Sequence, residues 1–216
     1  MDDGFQYQPP KTPLKVIYFD RDIIVVNKPS GLLSVPGRGE KRKESVYTRI
    51  LKVHPLAQVV HRLDMDTSGV MVFALRRKAE RALDRQFQNR TVTKQYVAIV
   101  EGQMDSNSGI IDKPLKPDPT RTLRHIVDES GKPAQTKYKV RTVTENATFV
   151  DLFPITGRSH QLRVHLASIG HPIQGDRFYG NPSTAKRLML HAFRIQFLHP
   201  YSHKPLSFVA NIDWKS

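Results

Sequence analysis

The sequence predicts an α+β fold built on a mixed, mainly antiparallel two-part β-sheet with flanking helices. Three observations lead to this prediction. Short runs rich in Val, Ile, Phe and Tyr recur along the chain, helical periodicity is confined to two segments, and the chain lacks both a regular βαβ alternation and an even hairpin rhythm. With 216 residues, of which 38% are apolar, the chain is long enough to bury a core. Wholesale disorder is therefore excluded.

The predicted strands are the apolar runs. They are Val16–Phe19, Ile23–Val26, Val70–Leu75, Tyr96–Val100, Phe149–Phe153, Leu188–Leu190 and Leu206–Ala210. Apolar residues recur at helical spacing over residues 79–87 and again over 162–169, which predicts two helices. We expect Ser159 to cap the start of the second helix and Gly170 to end it.

The distribution of proline divides the chain into segments. Residues 1–13 contain three prolines and little apolar content, so we expect an extended or disordered leader followed by a single domain over 14–216. Residues 112–136 contain four prolines and several Lys and Arg, which predicts a long irregular basic loop with a functional role.

Charge and cysteine content restrict the class of partner and the compartment. The chain has 34 Lys and Arg against 20 Asp and Glu, a net charge of +14, which favours a polyanionic partner such as a nucleic acid. It has no cysteine, no apolar stretch of about 18 residues and no secretory signal. We therefore expect a cytoplasmic protein that neither spans a membrane nor holds a thiolate-bound metal.

The densest polar segment lies between two apolar runs, at residues 59–70. Asp64 and Asp66 are two residues apart, so in extended backbone they share a face and could act as paired carboxylates on a metal or in acid–base chemistry. A turn in which these side chains bond the backbone explains the same pattern. Arg62 could pair with Asp64 or reach toward a phosphate or base, and either role suits a site that acts on RNA.

Two further segments carry concentrated positive charge. Residues 154–166 predict a strand end, a glycine turn and a helix start with Arg158 and Arg163, where an anion could dock, although ordinary capping would look the same. The helix predicted after Arg76, Arg77 and Lys78 has a basic face that could follow phosphates or simply be solvated. The histidine spacings do not favour a metal site.

Taken together, four motifs resemble the RluA family of RNA pseudouridine synthases, in order from about residue 14 to the end of the chain. The matching strings are I-V-V-N-K-P-S-G-L (24–32), H-R-L-D (61–64) with T-S-G (67–69), K-Q-Y-V-A (94–98), and T-G-R-S-H-Q-L-R-V-H (156–165), followed by G-H-P-I (170–173) and G-D-R-F-Y (175–179). The strings at 33–38 and 131–136 further resemble the short, dual-specificity branch, which modifies both ribosomal and transfer RNA. Relatives with a separate N-terminal RNA-binding module have many more residues before the first motif, so we expect no such module here.

The resemblance implies an isomerase that converts uridine to pseudouridine in structured RNA, without cofactor or metal. Asp64 matches the essential aspartate, Tyr96 the tyrosine that stacks on uracil, and Arg163 the arginine that pairs with the aspartate. Arg62 matches the residue that fills the space left by the extruded uridine. We further expect His61, Arg158, Arg76, Arg77 and Lys78 to bind the RNA, and the protein to be a monomer.

Two other functions are compatible with parts of the sequence. A non-catalytic RNA-binding or chaperone protein on the same fold would explain the charge of +14, but it would not need a carboxylate that repels phosphate. A metal-dependent nuclease would use Asp64 together with Asp66, whereas the family pattern leaves the position of Asp66 open.

Overall fold

The computed structural model describes residues 6–212 and residue 214, and these residues fall into two compact units. Unit 1 comprises the described residues of Met1–Val92 and Ile195–Ala210, and unit 2 those of Thr93–Arg194 and Asn211–Ser216. Residues 1–5 of the predicted leader lie outside the described residues. No helix among the described residues is long and apolar enough to cross a membrane.

The described residues form strands, three α-helices and two short 3₁₀ helices. The strands are Lys15–Phe19 (β1), Ile23–Lys28 (β2), Gln58–Val59 (β3), Ser68–Ala74 (β4), Thr93–Glu101 (β5), Ser108–Asp112 (β6), Leu115–Pro117 (β7), His125–Val127 (β8), Gln135–Val143 (β9), Ala147–Pro154 (β10), Leu190–Leu198 (β11) and Pro205–Val209 (β12). The α-helices are Val46–Leu51 (α1), Arg77–Gln88 (α2) and Gln161–Ser168 (α3), and the 3₁₀ helices are Glu40–Arg42 and Pro182–Thr184.

Unit 1 is built around antiparallel strands, of which β2 and β4 carry continuous apolar runs over residues 23–26 and 70–74. β2 lies between β1 and β4, β3 pairs with the end of β4, and β12 pairs with β11. All seven residues of β4 are buried, which explains why its sequence is a continuous apolar run without alternation. α2 buries Ala79 and Leu83, while Phe87 is half-buried against His61. The predicted helix over 79–87 is confirmed.

Unit 2 contains the antiparallel order β5-β10-β9-β6 and a separate hairpin, β7-β8. α3 packs on this sheet through Leu162 and Leu166, which belong to one apolar cluster with Val150 and Leu152 of β10. Tyr96 of β5 is half-buried against the same cluster. The predicted α+β class with mainly antiparallel sheet and flanking helices is confirmed.

Three details differ from the sequence prediction. Of Leu188–Leu190 only Leu190 lies in a strand, because Met189 divides its backbone bonds between Gln174 (3.0 Å) and Ile99 (3.1 Å) instead of following one ladder.

The second difference is that Ser159 is not the cap of α3. The N-cap is His160, and the side chain of Gln161 folds back to accept the Arg158 N–H (3.0 Å).

The third difference concerns residues 112–136, which are not one irregular loop. They contain β7 and β8, joined by residues 118–124, and the hairpin packs through Leu115 and Val127 with Val164 of α3. Gly170, with φ of 85°, directly follows the end of α3 as predicted, and its N–H bonds the Ala167 carbonyl (3.1 Å).

Candidate active site

Asp64 lies on a tight turn that leads into β4. The Thr67 N–H donates to the Asp64 carbonyl (3.1 Å), which closes a turn over residues 64–67. Asp64 is half-buried. The structure therefore offers a carboxylate on a fixed backbone.

Residues of the K-P-S-G string in the first motif form hydrogen bonds to backbone carbonyls of this turn. The buried Lys28 donates from Nζ to the Met65 carbonyl (2.7 Å), and the Gly31 N–H donates to the same oxygen (3.0 Å). The Ser30 hydroxyl donates to the Asp66 carbonyl (2.6 Å). Gly31 adopts φ of 79°, which few other residues tolerate. These contacts restrict the backbone on the C-terminal side of Asp64.

The backbone on the N-terminal side of Asp64 is held in the same way. The buried Ser34 hydroxyl donates to the Leu63 carbonyl (2.6 Å), and the Leu63 N–H donates back to Ser34 Oγ (3.0 Å). Asp64 thus lies between two clamped residues. The segment 28–34, about thirty residues earlier in the chain, therefore serves to position it.

His61 and Arg62, which precede Asp64, have different environments. His61 Nε2 accepts the Val72 N–H of β4 (3.0 Å), and its ring stacks on Phe87 of α2 at 5.0 Å between centroids. His61 therefore ties the segment to β4 and α2. Arg62 is exposed.

The predicted basic residues at the start of α2 are only partly available to a ligand. Arg76 Nε lies 3.1 Å from a carboxylate oxygen of Asp22, and Arg77 forms an i,i+3 pair with Glu80 at 3.0 Å. Lys78 is exposed. The helix start thus retains a positive surface, but two of its three cations already have carboxylate partners.

In unit 2, β5 presents two polar faces. Gln95 donates to Asp151 (2.8 Å), which also accepts a bidentate pair from Arg141 (2.7 Å for both bonds). Because strand residues alternate, Lys94 and Tyr96 lie on the opposite face from Gln95. Burial lowers the pKa of Lys94 below its ordinary value.

Arg163 of α3 forms a buried ion pair that the sequence pattern did not indicate. Its Nε and Nη2 donate to the two carboxylate oxygens of Asp176 at 2.8 and 2.7 Å. Arg163 is 2% exposed and Asp176 is fully buried. Burial alone would raise the pKa of Asp176, but Arg163 and the N–H groups of Phe178 and Tyr179 outweigh it and hold this pKa below its ordinary value. The guanidinium is therefore fixed in direction.

A buried hydrogen-bond chain fixes the remaining motif residues of α3. Thr156 donates to Gln161 Oε1 (2.7 Å), and Gln161 Nε2 donates to Thr136 Oγ1 (3.0 Å). His165 Nε2 lies 3.0 Å from the Lys113 carbonyl, which can only accept, so this nitrogen carries the proton and Nδ1 accepts the Thr136 hydroxyl (2.9 Å). Burial lowers the pKa of His165, which keeps the ring neutral. Three positions of the motif thus orient α3 and, with it, Arg163.

Arg158, predicted to bind RNA, lies on the turn before α3. Its Nε donates to the Pro133 carbonyl (3.1 Å) and its side chain is half-exposed. Arg158 therefore joins this turn to the segment that follows the β7-β8 hairpin.

One group of side chains among the described residues has metal-ligating potential, namely Asp20, Asp22 and His199. His199 Nδ1 accepts the Ser202 N–H (3.0 Å), so Nε2 carries the proton that is donated to Asp20 (2.9 Å). Asp20 also accepts the Asp22 N–H (2.8 Å), and the Asp22 carboxylate faces Arg76. The ligand atoms are engaged with one another and with the protein, which is the arrangement of a structural hydrogen-bond network.

Residues 22–168 match the RNA pseudouridylate synthase family. This match spans the Asp64 turn, Tyr96 and Arg163. The chain belongs to this family.

Curated relatives share about half of its residues. The dual-specificity RNA pseudouridine synthase RluA of Escherichia coli K12 is 52% identical over 214 residues, covering 96% of this chain and 98% of the relative. The protein of that name from Vibrio vulnificus is 50% identical over 208 residues, covering 92% and 83%.

Solved structures of two human family proteins share the fold. Human RNA pseudouridylate synthase domain containing 1 superposes with a TM-score of 0.79 at 29% identity, covering 95% of this chain and 86% of that one. Human RNA pseudouridylate synthase domain containing 4 gives 0.73 at 25% identity, with coverage of 92% and 88%.

Within this pseudouridylate synthase, several residues of the sequence motifs hold the Asp64 turn and α3 in place. Lys28, Ser30 and Ser34 hold the Asp64 turn, and Gln161 and His165 hold α3. Their occurrence in strings that match a family is the signal that could have identified them, since a buried lysine or glutamine has no distinctive pattern of its own. The same applies to Asp176, which otherwise looks like an ordinary turn residue.

Proposed function

We propose that this protein isomerises specific uridines to pseudouridine in ribosomal RNA, transfer RNA or both. The reaction breaks the bond between N1 of uracil and C1′ of ribose, turns the detached base, and rejoins it through C5. Support comes from the family match and from relatives named dual-specificity RNA pseudouridine synthase. The observation that carries the proposal is the half-buried Asp64 on a backbone clamped at both ends.

In this proposal Asp64 acts on the ribose, either as the nucleophile at C1′ or as the base that removes the C2′ proton to give a glycal. Tyr96 stacks on the uracil and assists removal of the C5 proton. Arg163 keeps the catalytic carboxylate ionised. Arg62 takes the space that the extruded nucleotide leaves in the RNA stack, which offsets part of the few kcal/mol that extrusion costs. Water must stay away from the loose base until it is rejoined.

The wider surroundings of the reaction follow from the composition. We propose that the enzyme works as a cytoplasmic monomer, without metal or cofactor. The chain has no cysteine to hold a thiolate-bound metal, and the isomerisation neither gains nor loses atoms. His61 and Arg158 lie beside the two catalytic segments and contribute to RNA binding there. Arg76, Arg77 and Lys78 attract the phosphate backbone.

The decisive experiment compares Asp64→Asn with Asp66→Asn. Both variants remove one carboxylate from the same turn, so both change the charge facing the RNA equally. RNA from cells that lack this gene is incubated with each purified protein, and pseudouridine is mapped chemically. We expect Asp64→Asn to bind RNA but form no product, and Asp66→Asn to retain activity. Product formation by Asp64→Asn at the wild-type rate would remove Asp64 from the mechanism.

The same experiment separates the other two functions. A wild-type protein that binds the RNA but forms no pseudouridine would support the non-catalytic binding protein. Cleaved RNA that depends on a divalent cation, and disappears with a strong chelator, would support a nuclease.

A further inference from the structure

The tip of the β7-β8 hairpin exposes a leucine on strained backbone. Leu123 has φ of 68°, in the left-handed region, and its residue is 61% exposed. A bulky residue rarely adopts this conformation, because its Cβ then crowds the following carbonyl. Leu123 therefore has an unfavourable backbone conformation and an exposed apolar side chain, and packing of that side chain within the protein does not compensate for either.

Local hydrogen bonds keep this conformation in place. The Asp118 carboxylate accepts the N–H (2.8 Å) and hydroxyl (2.7 Å) of Thr120 and the N–H of Arg121 (3.2 Å), and these bonds lower the pKa of Asp118. The Asp118 N–H donates to the Arg124 carbonyl (2.9 Å), which closes the loop across its base. The loop thus has a defined shape on which Leu123 projects.

The hairpin is also anchored to the element that carries Arg163. The Tyr179 hydroxyl accepts the His125 N–H (2.9 Å) and lies 2.8 Å from His160 Nδ1 at the start of α3. The Arg124 guanidinium lies over the Tyr179 ring, 5.0 Å from its centroid. The Tyr179 N–H in turn bonds Asp176, the partner of Arg163. The position of the tip relative to α3 is therefore fixed within unit 2.

We propose that Leu123 is a base-contacting wedge: its side chain packs on a base of the bound RNA and holds the opened stack, while Arg121, two residues before it, binds a phosphate. This inference rests on the proposed function. Extrusion of a nucleotide exposes the faces of its neighbours, and proteins that open base stacks insert apolar side chains such as Leu between the steps. A fixed, exposed leucine between two arginines has the chemistry for this contact, and backbone strain of this kind is typical of functional positions.

The test uses four variants of the full chain: Leu123→Ala, Leu123→Gly, Leu123→Met and Leu123→Lys. The substrate is RNA from cells that lack this gene, and product is mapped at limiting RNA. We expect Leu123→Ala and Leu123→Gly to lower kcat/KM about ten-fold, because they remove the apolar contact, and Leu123→Met to stay within about two-fold. Leu123→Lys should also lose activity, since a charge cannot replace an apolar contact.

Stability and salt dependence distinguish a contact from a folding effect. Glycine relieves the strain at φ of 68°, so Leu123→Gly should unfold at the same temperature as wild type or higher, in spite of its lower activity. The slope of log affinity against log salt should stay unchanged in Leu123→Ala but fall by about one in Arg121→Gln, which loses a phosphate contact.

Wild-type kcat/KM in both Leu123→Ala and Leu123→Gly would overturn the wedge. So would a Leu123→Lys variant that gains affinity without losing rate, because the tip would then act through charge alone. If the wild-type protein itself forms no pseudouridine, the proposed function fails. The wedge is then judged by RNA affinity, where an unchanged dissociation constant in Leu123→Ala overturns it. Normal RNA affinity and rate, with loss of a protein partner in cells, would indicate a protein-docking residue and likewise contradict the wedge.

Discussion

Asp176→Asn tests the buried ion pair that holds Arg163. The substitution keeps the shape of the side chain but removes its charge. If the amide oxygen takes the place of Oδ1, it still accepts Arg163 Nη2 and the N–H groups of Phe178 and Tyr179, while the amide nitrogen faces Arg163 Nε, donor against donor. The guanidinium, in a residue 2% exposed, then loses the charge of its bidentate partner.

Breaking such a buried pair by removing one partner costs about 3–5 kcal/mol, because the remaining charge stays desolvated. For a chain of this size, about 2–4 °C of melting temperature correspond to each kcal/mol, so the midpoint should fall by about 6–20 °C. The single tryptophan, Trp214, lies in unit 2 with its ring 6.4 Å from His191, and its fluorescence can follow the unfolding of that unit.

The matched control is Asp128→Asn, which removes a carboxylate from a half-exposed pair with Lys116 in the same unit and leaves an amide oxygen that can still accept from Ser130. Its midpoint should change little, since water screens such pairs. The pKa of Asp176 is lowered in the fold, so its contribution is complete above the ordinary carboxyl pKa of about 3.9 and is lost as the pH falls below it. The difference between wild type and Asp176→Asn should therefore shrink in acid. Equal unfolding midpoints for wild type and Asp176→Asn at pH 7 would show that the Arg163–Asp176 pair does not stabilise α3.

Three further outcomes are expected. Burial lowers the pKa of His165, so near this pKa the folded state binds fewer protons than the unfolded chain. The free energy of unfolding should therefore fall as the pH drops below about 6.5. In thermal melts from pH 7 to 5, His165→Asn should reduce this dependence of the melting temperature on pH. Burial likewise lowers the pKa of Lys94, so the stability of the wild type should rise with pH toward the ordinary lysine pKa of about 10.4. Lys94→Met should melt at a higher temperature than wild type at pH 7. An unchanged melting temperature would contradict a cost of burying the Lys94 charge. Neutralising Arg76, Arg77 and Lys78 together should reduce the salt slope of RNA binding, with most of the effect from Lys78 because the two arginines have carboxylate partners; an unchanged slope would mean that the start of α2 does not face the RNA.

The fold class could be predicted because its signals are local. β2 and β4 are continuous Val, Ile and Phe runs whose burial follows from composition, and α2 shows its apolar stripe at Ala79 and Leu83. The β7-β8 hairpin could not be predicted in this way. Its strands have only three residues each, one contains a proline, and they are held by contacts with α3 that lie far away in sequence.

The candidate site shows the same division between local and distant causes. Asp64, Arg62, Tyr96 and Arg163 are recognisable because each stands in a short string that matches a family, and a string can be read without knowing its contacts. The contacts that hold Asp64 and Arg163 come from elsewhere in the chain.

These contacts come from residues whose types alone do not indicate a positioning role. Lys28 would ordinarily be placed on the surface, yet it is buried and donates to the carbonyl of Met65, the residue that follows Asp64. The lysine contributes by binding backbone and not by its charge alone. Asp176 does the same for Arg163 by accepting two of its N–H groups. A reaction that keeps a detached base in place demands fixed geometry more than it demands additional reactive groups. Such a chain therefore depends on its positioning residues, and these can be recognised only when the backbone they hold is known.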